Sequence, residues 1–201
     1  MLSINPNQLS DRERYKLLIG SIIPRPVALV STLSKERVIN LAPISYFNIV
    51  SATPPIVSLS VSRRQGKMKD TAKHLLNQKE AVIHIIDTSI VNDANETAVE
   101  FSEDKSELSV TNFSVVPSKI INTPGINEAK IRFETSLYDH IEIKEQDQVS
   151  NDLFLLKLEQ YYIEEAIFEE GKIDPLGLDP ISRLAGSTYA TLGKLFDLER
   201  P

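Results

Sequence analysis

The chain has 201 residues, a hydrophobic fraction of 41%, a charged fraction of 25% and a formal net charge of −6. That length suits one well-buried domain and is short for two, and the acidic balance argues against a general nucleic-acid or anionic-membrane role, because either surface repels the protein at long range. With no cysteine, disulfides, thiol redox centres and thiolate metal sites are ruled out, so electron transfer would need a bound cofactor.

Residues 1–16 are polar and lack a basic stretch followed by an apolar one, and no run reaches membrane-spanning length; cytoplasm is the expected compartment. Residues 1–20 read as a lead-in, with Ser10 as the N-cap of a short helix. Pro24 and Pro26 stiffen the approach to a strand over 27–33 that ends in the hydroxyls of Ser31 and Thr32. Residues 34–37 turn the chain without a glycine. Residues 40–45 (Asn40, Leu41, Ala42, Pro43, Ile44, Ser45) are expected to be irregular, since Pro43 interrupts a ladder and irregular backbone leaves N–H groups for a ligand.

After Pro54 and Pro55 the residues alternate. Val57, Leu59 and Val61 face one side of an extended strand, while Ser58, Ser60 and Ser62 face the other. Arg63, Arg64, Lys67 and Lys69 follow, ahead of Asp70, Thr71 and a helical run to residue 79 that Asp70 or Thr71 is expected to cap. Orphan N–H groups at a helix start beside cations suit a phosphate. Alone, Lys69-Asp70-Thr71 reads as an ordinary cap beside a solvated lysine, and the serines as the polar face of a half-exposed sheet. Three short hydroxyls in a row argue against that blander view.

Further on, 81–86 is an apolar run consistent with a buried strand, in which His84 reads as a satisfied core histidine. Residues 92–101 suit a helix through Ala94, Ala98 and Phe101, and 103–107 a charged loop. Strands are expected over 113–116, 131–138, 141–143 and 152–163, the last buried on both faces. Residues 174–180 form a stiff loop. Short strands without long crossover helices indicate a mainly β fold with flanking helices, closed as an antiparallel barrel. His74, His84 and His140 lack ligand spacing, so no metal site is expected, and no Gly-x-Ser-x-Gly elbow supports a hydrolase. The acidic run of Glu164, Glu165, Glu169 and Glu170 reads as a solvated face.

Four segments in order, Arg25-Pro26-Val27-Ala28-Leu29-Val30-Ser31-Thr32, residues 40–48 with Pro54-Pro55, Lys69-Asp70-Thr71, and residues 180–189, resemble the flavin reductase-like family. The resemblance spans most of the chain and departs from the family in the glycine-free turn at 34–37. It implies an FMN-binding split β-barrel forming one domain over 1–201, with residues 172–201 as a tail that closes the site, and it implies a homodimer.

By the same resemblance, Asn40, Leu41, Ala42, Pro43 and Ser45 contact the isoalloxazine and ribityl chain, and Ser31 and Thr32 approach the ring edge. Ser58, Ser60, Ser62, Arg63, Lys69, Asp70 and Thr71 hold the phosphate and ribityl hydroxyls. Arg183, Ser187 and Tyr189 close the site. The missing acid, base or nucleophile fits hydride transfer from NADH or NADPH to flavin, where the cofactors carry the chemistry. The expected function is therefore an NAD(P)H-dependent flavin reductase serving a flavin-dependent monooxygenase. The alternatives are a non-enzymatic, flavoredoxin-like FMN electron carrier with an electron-transfer partner, a flavoenzyme with its own small-molecule acceptor, and a redox-inactive binding module.

Overall fold

Seven antiparallel strands form the main sheet of the computed structural model, which describes residues 1–199. In chain order they are β1 (Ala28–Leu33), β2 (Ile39–Ile44), β3 (Phe47–Ala52), β4 (Pro55–Ser62), β5 (Glu80–Ile85), β6 (Ile131–Glu145) and β7 (Gln148–Ile163), with spatial order β2-β1-β5-β6-β7-β4-β3. The two edge strands, β2 and β3, are joined by only Ser45 and Tyr46. Opposite edges linked so briefly must meet, so the sheet rolls into a barrel split at that seam; the Ser60 N–H donates to the Tyr46 carbonyl at 2.9 Å and extends the β3–β4 ladder into the linker.

Alternation within each strand sorts side chains to the two faces. Inside the barrel lie Val30, Phe47, Leu59, Ile83, Phe154 and Leu156, and outside it a second cluster gathers Leu29, Leu41, Ile86, Ile90, Ile126 and Ile181. Strand β1 serves both clusters, which is why all six of its residues are buried. Helix α2 (Asp70–Gln78) closes one end of the barrel with Ala72 and Leu75.

Several expectations need correction. Residues 40–45 are mostly regular edge strand. The N–H of Leu41 points outward, and Pro43, two residues on, shares that phase, so its missing donor removes no ladder bond. The expected helix over 92–101 is α3 (Val91–Glu96) followed by a turn; the Thr97 hydroxyl donates to the Ala94 carbonyl at 2.7 Å and competes with continuation. The strand expected over 113–116 shrinks to Val115–Val116.

Residues 131–143 form one strand, with a bulge between the Leu137–Leu156 and Asp139–Leu155 pairs that leaves Tyr138 unpaired. The bulge turns Ile141 and Ile143, 44% and 43% exposed, to the outer face. Strand β7 is therefore buried on one face through Phe154, Leu156 and Leu158, while Leu153 and Leu155 are only half-buried. The turn without glycine is made by Arg37 at φ +65°, with the Ser34 hydroxyl accepting the Val38 N–H at 3.0 Å.

Ser10 caps α1 (Asp11–Ser21) as expected, in a reciprocal capping box with Glu13. At the other end of the helix, the buried Arg25 guanidinium donates to the carbonyls of Ile19, Ile22 and Leu184. Of the expected tail over 172–201, Arg200 and Pro201 lie outside the described residues. No helix among the described residues is long and apolar enough to cross a membrane.

Candidate functional site

A cleft of about 810 Å³ opens beside the barrel seam. Strand β2 supplies one wall through residues 40–44, and β4 supplies Ser60 and Ser62. Between β4 and α2 the chain makes a tight turn, with mutual backbone bonds between Arg64 and Lys67 and positive φ at Gln65 (+50°) and Gly66 (+76°). A glycine at the second central position suits this turn, and the turn sets Arg64 and Lys67 on the cleft.

The start of α2 faces the same space. Its N-cap is Lys69, in an extended conformation with no side-chain cap bond. Asp70 and Thr71, expected as caps, are instead the first two helical residues, because the Asp70 carboxylate turns to the Lys73 ammonium at 3.2 Å and the Thr71 hydroxyl accepts from the Asn40 amide at 3.1 Å. The first helical N–H groups are thus left without a side-chain acceptor, next to Lys67 and Lys69, which form no ion pair among the described residues. Helix-end donors and two ammonium groups without an ion pair among the described residues give this corner donors and positive charge of the kind that suits an anion.

The structure brings Asn40, Leu41, Ala42, Pro43, Ser45, Ser60, Ser62, Lys69, Asp70 and Thr71 to this cleft and leaves the other candidates outside its lining. Ser31 is fully buried and donates to the Pro124 carbonyl at 2.7 Å. Thr32 is buried beneath the site, where its hydroxyl meets the Asn40 amide at 3.2 Å and the His74 Nδ1 at 3.2 Å, so it supports Asn40 from behind. Burial pushes the His74 pKa down. Ser58 donates to the Asn48 carbonyl at 3.4 Å. The guanidinium of Arg63 is held by Asp152 and Glu142. Arg183 and Tyr189 belong to a small separate sheet with Arg25–Pro26; Arg183 stacks on the Tyr189 ring at 4.3 Å and donates to the Gly186 carbonyl. Ser187 lies in the turn between them.

Other lining residues escaped the sequence reading. Glu107 is buried, and its Oε2 accepts the outward Leu41 N–H at 2.9 Å, so that donor is not free for a ligand. Burial raises the Glu107 pKa against the lowering effect of the bond from Leu41. No local pattern marks this carboxylate within its charged loop. Tyr15 from the supposed lead-in, the loop 97–101 and Asn151 also line the cleft, and the Asn151 amide donates to Ser60 at 3.2 Å. Asn151 was findable only through register, since it pairs with Ser62.

A cleft bordered by a serine row, an uncapped helix start and unpaired lysines fits a ligand that combines a phosphate with a polyhydroxyl chain. The sequence matches the family model for the flavin reductase like domain over residues 19–179. The chain belongs to the flavin reductase-like family. Nitrilotriacetate monooxygenase component B from Bacillus cereus is 45% identical, with a TM-score of 0.96 over 98% of both chains. A Pseudomonas fluorescens protein, 2-nitrobenzoate 2-nitroreductase, is 27% identical, with a TM-score of 0.89 over 100% of this chain and 96% of that one. An uncharacterized Bacillus subtilis protein is 43% identical over the full length of both chains. The family match thus ends at Asp179, before Arg183, Ser187 and Tyr189.

Proposed function

We propose that this protein is an NAD(P)H-dependent flavin reductase that holds FMN in the cleft at the barrel seam. The observation that carries the reading is the uncapped start of α2 beside Lys67 and Lys69, opposite the hydroxyls of Ser60 and Ser62. Lys67, Lys69 and the first N–H groups of α2 would bind the phosphate, where charge-assisted hydrogen bonds contribute most. Ser60, Ser62 and Asn151 would receive the ribityl hydroxyls, and residues 40–45 the ring system. Bound there, FMN would supply acceptance of a hydride from NADH or NADPH.

The protein's own part is positional. Thr32 and Thr71 fix the Asn40 amide, Glu107 fixes the β2 edge at Leu41, and residues 97–101 wall the cleft from water. Arg63 and Ser58 serve the barrel frame in this reading. The half-buried outer face of Leu153 and Leu155, next to the exposed Ile141 and Ile143, supports a homodimer, through which Arg183, Ser187 and Tyr189 of a second copy would reach the site. The likeness to a monooxygenase component supports a flavin-dependent monooxygenase as the acceptor of the electrons, in the cytoplasm.

The test is to load the purified protein with FMN, remove oxygen, add NADH or NADPH and follow the visible flavin absorption. Rapid bleaching supports the reductase and fixes its donor. Tight FMN binding without bleaching would replace this reading with an electron carrier that needs a protein partner.

A further inference from the structure

A second cleft, of about 660 Å³, opens at the far end of β6 and β7 and shares no residue with the first. Asn151 lines one cleft and Tyr161 the other, ten residues apart along β7, or about 30 Å at the usual rise of a strand. The second cleft has a built frame. Glu134, 1% exposed, accepts the Tyr162 hydroxyl at 2.6 Å and the N–H groups of Lys119 and Ile120 at 2.8 and 2.7 Å. These bonds fix the Tyr162 ring and the Lys119 segment together.

On that ring rests the Arg132 guanidinium, 4.4 Å from the centroid, with the Lys119 ammonium at 5.6 Å. Neither cation has a carboxylate partner among the described residues, although the chain is acidic. Lys130, also in the lining, is occupied by the carbonyls of Gly177 and Leu178. Two carboxylates border the space: Glu128, engaged by the N–H and hydroxyl of Ser114, and Glu164. Glu164 sets the site against a polyanion. Tyr161 borders the space, but its ring packs edge-on against Phe133 at 5.2 Å, on the other face of the sheet from Arg132 and Tyr162.

We propose that this cleft binds a small molecule carrying a single phosphate or carboxylate, with Arg132 and Lys119 meeting the oxyanion and the Tyr162 ring backing both cations. A guanidinium fork matches either oxyanion with two parallel hydrogen bonds, and its stacking on Tyr162 orders it before a ligand arrives. The volume is that of an ordinary small-molecule site. At its distance from the flavin cleft, the ligand does not compete with FMN.

Calorimetric titration of the full-length, FMN-loaded protein with phenyl phosphate and with benzoate tests this. The expected result is one site per chain for at least one probe, weakened by high salt and about ten-fold or more in both R132Q and K119Q, with flavin absorption unchanged. Preference for phenyl phosphate identifies a phosphate ligand, and preference for benzoate a carboxylate. Circular dichroism checks the fold of R132Q; Lys119 is exposed, so K119Q retains the test if R132Q does not fold. Absence of binding by both probes, equal affinity in the variants, or displacement by FMN would overturn the proposal.

Discussion

Arg63 and Asp152 form a two-pronged ion pair, Nε to Oδ2 at 2.8 Å and Nη2 to Oδ1 at 2.8 Å, between the end of β4 and the buried face of β7. The pair decides which of the basic residues after the serine strand can turn to a ligand. Arg63 is committed to the barrel, while Lys67 and Lys69 beyond the turn form no ion pair among the described residues and line the cleft.

Asp152 is fully buried and also receives His140 Nε2 at 3.0 Å, while the His140 ring stacks on Phe154. Burial opposes its ionisation, but the hydrogen bonds from Arg63 and His140 outweigh that and hold its pKa below the ordinary value. Its stabilisation is therefore present above the unfolded-state value of about 3.9 and is lost as pH falls through the lower folded value. Asp152→Ala, which removes the buried partner and leaves Arg63 with Glu142 alone, is expected to cost about 3 kcal/mol in urea unfolding. The flavin affinity of the folded fraction should stay as in the parent.

Lys69→Ala should weaken FMN about ten-fold or more and riboflavin little, since only FMN presents a phosphate to the start of α2. Titration followed by quenching of flavin fluorescence compares the two ligands. Equal losses would remove the phosphate from this corner.

His84 has no exposed surface; its Nδ1 donates to the Leu29 carbonyl at 2.9 Å and its Nε2 accepts the Ile126 N–H at 2.8 Å. That arrangement requires the neutral ring, and burial pushes its pKa down to about 4. In the unfolded chain the ring protonates near pH 6.5, so its contribution is present above that value and falls by up to about 1.4 kcal/mol per unit as pH drops toward 4. His84→Leu should flatten this part of the stability profile and lower stability at neutral pH by about 2 kcal/mol. Flavin content should not change; a folded but colourless variant would contradict the separation of His84 from the site.

Glu107 has the opposite sign. Burial raises its folded pKa, so its contribution to stability is fully present below the unfolded value of about 4.3 and declines as pH rises through the folded one. Glu107→Gln keeps an acceptor for the Leu41 N–H without a buried charge and should flatten that decline with FMN affinity retained. Glu107→Ala leaves the donor unsatisfied and should weaken FMN several-fold, read by the same fluorescence titration.

The local pattern of β4 was legible because a strand alternates with period two wherever it sits: Val57, Leu59 and Val61 had to share the core face and Ser58, Ser60 and Ser62 the other. The N-cap at Ser10 and the basic approach to α2 were equally local. What sequence could not settle was which polar group meets which. Arg63 and Lys69 look alike in the chain, yet only the return of β7 with Asp152 commits one of them. Ser58 and Ser60 look alike too, but the pairing with β3 and β7 sends one to the Asn48 carbonyl and the other to Asn151. A single unpaired residue at Tyr138 reverses the faces of Ile141 and Ile143, and the edge position of β2 decides that Pro43 is harmless and that Leu41 needs Glu107. Periodicity and caps depend on neighbours within a few residues. Register, edges and ion pairs depend on segments brought together from across the chain, and those the tertiary structure alone decides.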